Sequence, residues 1–209
     1  TFDDSVASHA TIVAPLLKKM GFGATFYITE GFDFATNKVQ YMTWEQIKGL
    51  HDQGFEIGNH TKSHKGVRGQ KRPELIAHIE HIEKQIVAHG IPRPTTFCYP
   101  GYITSDDAVA ILKERGYKTA RAGGARAFDP AKDNPLLMPQ AFDSKPKVGL
   151  DAFKAAVAGA RDGKIAVLTF HGVPDKQHPW VTTDPELFTA YMNYLKAEGY
   201  KVVAMRDVV

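Results

Sequence analysis

The 209-residue sequence contains a single cysteine, Cys98, and no apolar run close to the ~20 residues that a membrane-spanning helix needs. One cysteine excludes an internal disulfide, so the fold has to be held by a hydrophobic core, for which 43% hydrophobic residues suffice. The net charge of +3 is small, and uncharged residues interrupt the densest basic cluster, residues 65–72. The sequence therefore indicates neither nucleic-acid binding nor a transmembrane segment.

What the sequence does contain is a repeated order of helix, glycine and short β-rich run. Glycine just past an amphipathic segment is typical of a helix end, and it occurs at Gly21, Gly54, Gly90, Gly116 and Gly199. The strand candidates are residues 24–28, 55–57, 95–99, 117–120, 165–170 and 201–205, with 136–141 as a weaker one. Strands that alternate with helices predict a parallel sheet with right-handed crossovers.

The sequence contains seven or eight strand–helix units, a number that favours a (β/α) barrel over an open sheet. We find no linker or low-complexity tract, so we predict one domain over residues 1–209. The chain opens on Thr-Phe-Asp-Asp, which predicts a first strand truncated at the N-terminus.

Polar residues of unusual chemistry follow four of the predicted strands. They are Asp3 and Asp4, the segment Asn59 to His64, the segment Pro100 to Tyr102, and His171. Because the carboxyl ends of parallel barrel strands share one face, where active sites are built, we expect these side chains to meet.

The expected cluster has the inventory of a metal-assisted hydrolase. His60 and His64 are four residues apart, so on one helical turn they would share a face and bind one ion. An adjacent carboxylate completes the ligands and a second carboxylate is left as a base. The alternative is a pair of ordinary histidines and an Asp pair that caps a helix. His171 is either a general acid, since its unperturbed pKa of ~6.5 is close to neutral, or a structural histidine.

The motifs resemble those of the polysaccharide deacetylases, the NodB-homology domain of carbohydrate esterase family 4. The matching residues are T-F-D-D at 1–4, H-T-K-S-H at 60–64, and Leu168 shortly before His171. The resemblance implies a distorted (β/α)7 barrel, a divalent metal ion and removal of N- or O-acetyl groups from a poly- or oligosaccharide. The implied ion is zinc, with cobalt or nickel as alternatives. It also implies export to the periplasm or the cell exterior, although this sequence shows no signal peptide.

Carried over to this sequence, the resemblance implies a role for each motif residue. Asp3 would be the base, Asp4, His60 and His64 the metal ligands, His171 the acid, and the Gly101 N–H an oxyanion donor. Asp143 is a candidate to orient His171. We assign substrate contacts to Pro100, Tyr102 and Trp180, and His9 and His178 are further candidates for the rim.

Position 98 departs from the family pattern. Cys98 stands where the family has an arginine that holds the catalytic Asp, so we expect the pKa of Asp3 to be less depressed than in relatives with that arginine. Two other functions stay open: a cyclic-amide hydrolase of the same fold, and a non-catalytic carbohydrate-binding module that retains the metal site.

Overall fold

A computed structural model describes residues 1–208 and shows short parallel strands that alternate with helices. The strands are β1 Thr25–Ile28, β2 Glu56–Asn59, β3 Thr96–Cys98, β4 Thr119–Arg121, β5 Phe142–Asp143 and β6 Leu168–Thr169. The helices are α1 Ala14–Met20, α2 Trp44–Asp52, α3 Arg72–Ala88, α4 Asp106–Glu114, α5 Leu150–Val157 and α6 Pro185–Ala197. A π-helical turn, His9–Val13, precedes α1, and 3₁₀ turns cover Pro100–Tyr102, Pro135–Leu137 and Met205–Asp207. The predicted domain 1–209 also includes Val209, which lies outside the described residues.

Strands that are consecutive in sequence are neighbours in the barrel. β1, β2, β3 and β4 pair in that order, β5 pairs with β6, and all pairs are parallel. Phe2 forms single parallel bridges with Phe26 of β1 and with Phe170 after β6. Arg121 of β4 pairs in the same way with Met138, just before β5. The prediction of a distorted (β/α)7 barrel is confirmed, with Phe2 representing the short first strand.

Local signals define the helix ends. The Thr43 hydroxyl accepts the Gln46 N–H while the Gln46 side chain accepts the Thr43 N–H, which is a complete capping box at the start of α2. Asp184 caps α6 through two backbone N–H groups. Gly21 ends α1 at φ +72°, a conformation that glycine adopts without strain.

The strands have one apolar face and one polar face. The residues that pack outward against the helices are apolar, as at Phe26, Ile57, Phe97, Ala120 and Phe170. The alternate positions point into the barrel, where Glu56 accepts hydrogen bonds from Thr25 (2.6 Å) and Thr96 (2.9 Å). Side chains in a strand alternate between faces, so this polar interior forms without interrupting the apolar layer.

The predicted strand 201–205 is wrong, the strand 165–170 is much shorter than predicted, and the strand predicted at 136–141 is displaced toward the C-terminus. Residues 201–205 form no strand, because their hydrogen bonds run from Gly23 N–H to the Val202 carbonyl and from Met205 N–H to the Thr25 hydroxyl instead of along a neighbouring strand. The predicted strand 165–170 narrows to β6, since Ile165 pairs antiparallel with Phe128. Residues 136–141 start in a 3₁₀ turn, and β5 begins only at Phe142.

None of the helices within residues 1–208 is long and apolar enough to cross a membrane.

Gly58 tests how tightly the barrel interior is packed. A Cβ atom at this position would lie 2.5 Å from the ring of Tyr27, its partner across β1, and 2.9 Å from Thr96 Oγ1. We expect Gly58→Ala to lower the free energy of unfolding by ~1–3 kcal/mol, measured by urea denaturation. Gly49→Ala in α2 is the matched control, because nothing lies within 4 Å of the added atom, and it should gain ~0.5–1 kcal/mol. Equal stability of the two variants would contradict the packing.

Candidate metal centre and catalytic site

Asp3 and Asp4 lie at the mouth of the barrel because Phe2 is held between two strands. The Asp3 N–H donates to the Phe170 carbonyl (3.0 Å). Asp4 and Ser5 then adopt positive φ values of 71° and 56°, which are uncommon for residues other than glycine. This turn directs the two adjacent carboxylates to different partners.

Asp4 faces two imidazoles. Its Oδ1 lies 3.4 Å from His60 Nε2 and 3.2 Å from His64 Nε2, and the three ligand atoms lie within 4.8 Å of one another. Within the described chain, Asp4 Oδ1 is buried and has no hydrogen-bond partner. A buried carboxylate oxygen without a donor, beside two imidazole nitrogens, fits a divalent cation, and three protein ligands leave a position open.

The two histidines converge from a loop and not from a helical turn, so that part of the prediction is wrong. Thr61 and His64 have φ values of 64° and 56°. The Asn59 side chain holds the bend by accepting the Thr61 N–H (2.9 Å). His60 Nδ1 donates to the Cys98 carbonyl (2.8 Å), which leaves Nε2 as the free ligand atom.

Asp3 forms a buried ion pair with Arg121, a residue that the sequence reasoning missed. Arg121 Nη2 donates to Asp3 Oδ2 and also contacts Cys98 Sγ (2.7 Å), while Nη1 donates to Gln140 and Thr169 (both 2.9 Å). The prediction that no arginine holds Asp3 is wrong, because β4 supplies the guanidinium that position 98 lacks. The available signal was Arg121 itself, a cation directly after the predicted strand 117–120.

The surroundings keep both carboxylates ionised. Burial alone would raise the pKa of Asp3, but Arg121, followed by His60 and His171, lowers it below the usual value. Burial would also raise the pKa of Asp4, but the neighbouring imidazoles of His60, His64 and His171 bring this pKa well below its ordinary range. We predicted that the pKa of Asp3 would be less depressed than in relatives with an arginine at position 98. Because Arg121 takes the place of that arginine, this prediction no longer has a physical basis.

His171 points toward both carboxylates. Its Nε2 lies 3.9 Å from Asp3 Oδ2 and 3.9 Å from Asp4 Oδ2. His9 is fully buried, and its Nε2 donates to the His171 carbonyl (3.0 Å), so His9 supports this strand end and does not line the rim. Asp143 pairs with Lys145 (2.7 Å), and among residues 1–208 no hydrogen bond joins it to His171.

The two carboxylates and the three histidines that face them line a cavity of about 230 Å³. Its lining contains Asp3, Asp4, Phe32, His60, His64, Gly101, Tyr102, Lys145, His171, His178, Trp180 and Val181. The predicted oxyanion donor Gly101 and the predicted substrate contacts Tyr102 and Trp180 are included, and so is the rim candidate His178. Pro100 is buried and does not line the cavity, while Phe32 and Lys145 were not anticipated. A larger cavity of about 390 Å³ is mainly apolar and contains none of these histidines.

A hydrogen-bonded chain behind the cavity supports the histidine loop. Asn59 Nδ2 donates to the Tyr117 hydroxyl (2.8 Å), which donates to Glu83 Oε1 (3.0 Å). Glu83 also pairs with Arg115 (2.5 Å) and Arg93 (2.8 Å). The residue before His60 is therefore anchored through α3 to two arginines.

Comparison with known proteins relates this geometry to a family. The model for polysaccharide deacetylase matches residues 1–120, more than half of the chain. A comparison with curated proteins finds no similar sequence.

Three solved structures illustrate the similarity. A family 4 acetyl xylan esterase from Clostridium thermocellum, in complex with a cobalt ion, has 21% identity and a TM-score of 0.69 over 99% of this chain and 87% of that chain. The pseudoenzyme BA3943 from Bacillus anthracis has 19% identity and a TM-score of 0.69 over 99% and 63%. The deacetylase PplD from Streptococcus pyogenes, in complex with acetate, has 19% identity and a TM-score of 0.61 over 66% of this chain and 60% of its own length. At these identities the likeness is one of fold.

The Glu83 network predicts a pH-dependent stability. Burial would raise the pKa of Glu83, but bonds from Arg115, Tyr117 and Arg93 lower it below its usual value. Its stabilisation is therefore complete above the unfolded pKa of ~4.3 and is lost as the pH falls through the lower folded value. We expect Glu83→Gln to cost ~1–3 kcal/mol at pH 7, with urea midpoints converging with wild type toward pH 3. Glu74→Gln, exposed on the same helix, is the control, and a difference independent of pH would refute this account.

Proposed function

Because the chain belongs to the polysaccharide deacetylase family, we propose that it is a metal-dependent hydrolase that removes acetyl groups from an N- or O-acetylated carbohydrate. One observation carries the proposal: a three-ligand set, an arginine-paired carboxylate and a histidine line the same 230 Å³ cavity. Each of the three has a separate role in acyl transfer to water.

Asp4, His60 and His64 would hold the divalent ion, with zinc as the first choice and cobalt or nickel as alternatives. When bound, such an ion supplies Lewis-acid chemistry, polarising the acetyl carbonyl and lowering the pKa of a water molecule. The hydrogen bond from His60 Nδ1 to the Cys98 carbonyl keeps the His60 ring oriented for this purpose.

Asp3 is the proposed general base. Its Oδ2 is occupied by Arg121, whereas Oδ1 is buried with no hydrogen-bond partner in residues 1–208. Oδ1 is therefore the atom that accepts the proton of the attacking water. Arg121 keeps the carboxylate ionised and fixes its plane, so that the accepting oxygen does not rotate away.

His171 and Gly101 complete the proposed mechanism. His171 Nε2 lies 3.9 Å from both carboxylates and protonates the leaving amine or alkoxide. The Gly101 N–H lies in the turn after β3 and donates to the developing oxyanion, a contribution of ~3–4 kcal/mol for one such donor. Tyr102 and Trp180 contact the sugar from the cavity wall.

A non-catalytic carbohydrate-binding protein is the second candidate. A pseudoenzyme of the family is among the similar structures, and a mutant of it is described as having restored enzymatic activity. The presence of Asp3, its arginine partner and His171 favours catalysis for this chain. A hydrolase that opens cyclic amides would use the same groups, and its substrate alone would distinguish it.

Acetate release tests the function. We expect release from at least one of the acetylated oligomers of chitin, peptidoglycan, xylan and poly-glucosamine, loss with a chelator, and recovery with added zinc or cobalt. Asp3→Asn should reduce kcat by ~10²–10⁴-fold because the base is removed. Asp151→Asn, an exposed aspartate of α5, is the control and should match wild type. Binding of these oligomers without acetate release at saturating metal would favour a non-catalytic carbohydrate-binding protein. Hydrolysis of a cyclic amide, without acetate release, would favour a cyclic-amide hydrolase.

Arg121 should be essential for turnover. We expect Arg121→Gln to lower kcat by ~10²-fold or more with a smaller change in KM, because Asp3 loses its orienting partner. Cys98 Sγ lies 3.6 Å from Asp3 Oδ2, so an arginine at position 98 can reach the same carboxylate once position 121 is vacated.

The double variant Cys98→Arg/Arg121→Gln should therefore recover at least ~10-fold of the lost kcat. Arg126→Gln, at an exposed arginine, is the control, and circular dichroism verifies folding. A folded Arg121→Gln variant with wild-type kcat would show that the ion pair has no catalytic role.

A further inference from the structure

The candidate metal ligands come from two separate segments of the chain. Asp4 lies in the turn that follows Phe2, whereas His60 and His64 belong to the histidine loop, residues 60–64, after β2. The ligand atoms of the three residues nevertheless lie within 4.8 Å of one another. This spacing therefore depends on the contacts that join the two segments.

Thr29, the residue after β1, contacts both segments and is buried. On one side, the Ser5 hydroxyl donates to the Thr29 carbonyl (2.8 Å) and accepts the Thr29 N–H (3.0 Å). On the other side, Thr29 Oγ1 donates to the Lys62 carbonyl (3.3 Å). Ser5 directly follows Asp4, and Lys62 is the middle residue of the histidine loop. One buried side chain and its backbone thus join the two segments that carry the ligands.

The Thr29 hydroxyl also brings Gly31 into contact with the histidine loop. Thr29 Oγ1 accepts the Gly31 N–H (3.0 Å), which bends the backbone after β1. A Cβ atom at Gly31 would lie 2.9 Å from the Ser63 carbonyl carbon and 3.0 Å from His64 Cβ, so the close approach requires glycine. The same hydroxyl therefore bonds to Lys62 and holds the residue that packs against His64.

Helices α2 and α3 support this contact from outside the barrel. Glu30 Oε1 accepts the Trp44 Nε1–H of α2 (2.9 Å), and Glu30 Oε2 lies 2.5 Å from His81 Nε2 of α3. In the histidine loop, the Lys62 N–H donates to the His78 carbonyl of α3 (3.1 Å). Both sides of the contact are therefore anchored to α3, so the hydrogen bonds of Thr29 join segments that are already fixed in place.

We propose that Thr29 is a positioning residue of the candidate metal centre, whose hydrogen bonds to Ser5 and Lys62 set the spacing between Asp4 and His64 and so the affinity for the divalent ion. Thr29 does not line the cavity and acts only through these neighbours. Ligands bind an ion tightly when supporting hydrogen bonds hold them in place before the ion arrives. The inference rests on the proposed function for the assignment of the metal ligands.

Cobalt binding tests the role of Thr29 without turnover. The metal-free protein is titrated with CoCl2, and the visible absorption of the bound ion gives the Kd. We expect Thr29→Val to raise the Kd ~10–100-fold, because a methyl group replaces the hydroxyl, and Thr29→Ser to stay within ~3-fold of wild type. Thr36→Val is the matched control, since Thr36 is an exposed threonine of the same loop whose hydroxyl bonds to the Asp33 carbonyl. Circular dichroism verifies folding of each metal-free variant.

A double-mutant cycle distinguishes one link from two independent contacts. Ser5→Ala removes the bonds on the Asp4 side and should raise the Kd for Co²⁺ ~10-fold or more. Breaking either side disconnects the two segments, so Ser5→Ala/Thr29→Val should bind within ~3-fold of the weaker single variant. A double variant whose loss equals the product of the two single losses would overturn the link. A wild-type Kd in Thr29→Val would also overturn it, and if that variant does not fold, a wild-type Kd in Ser5→Ala does so.

Failure of the metal site and failure of the link give different results. If the wild type binds no Co²⁺, the proposed ligand set is wrong, and hydrogen exchange of the metal-free protein then decides the link alone. Amide exchange in the histidine loop should be at least ~10-fold faster in Thr29→Val than in Thr29→Ser, with exchange in β4 unchanged. Equal exchange in the two variants refutes the positioning role of Thr29.

Discussion

The buried ion pair between Asp3 and Arg121 organises the interior of the barrel. A charge that leaves water is costly unless it is paired and hydrogen-bonded, and removing one partner of such a pair typically costs ~3–5 kcal/mol. Arg121 is paired in this way: Nη2 binds the Asp3 carboxylate, and Nη1 donates to Gln140 and Thr169. The strands accordingly place polar side chains inside and apolar side chains against the helices.

The same constraint separates the roles of two adjacent carboxylates. Asp3 lies against a guanidinium and Asp4 against two imidazoles, although the residues are neighbours in sequence. The separation requires left-handed backbone at Asp4 and Ser5, and the loop with the two histidines has the same feature at Thr61 and His64. Unfavourable backbone conformations are thus concentrated at the candidate metal centre, where surrounding hydrogen bonds hold them in place.

The cavity is lined both by buried carboxylates and imidazoles and by exposed aromatic side chains. The groups proposed for bond cleavage come from strand ends and the turns that follow them, which gives them fixed positions in a rigid barrel. The rim residues Phe32, His178 and Trp180 come from the loops that follow β1 and β6. The groups proposed for cleavage and the aromatic rim residues therefore belong to different parts of the fold, and loops of this kind vary without disturbing the barrel.

The sequence by itself determined the order of helices and strands, most helix ends and the gathering of Asp3, Asp4, His60, His64 and His171 at one face. These features follow from short-range signals and from the rule that parallel strand ends share a face. Only the tertiary structure decided that Arg121 holds Asp3, that the two histidines converge from a loop, and that residues 201–205 are not a strand. In each case the outcome depends on a distant partner. Asp3 and Arg121 are 118 residues apart, and an ion pair of this kind has no local pattern because it forms only when the barrel closes.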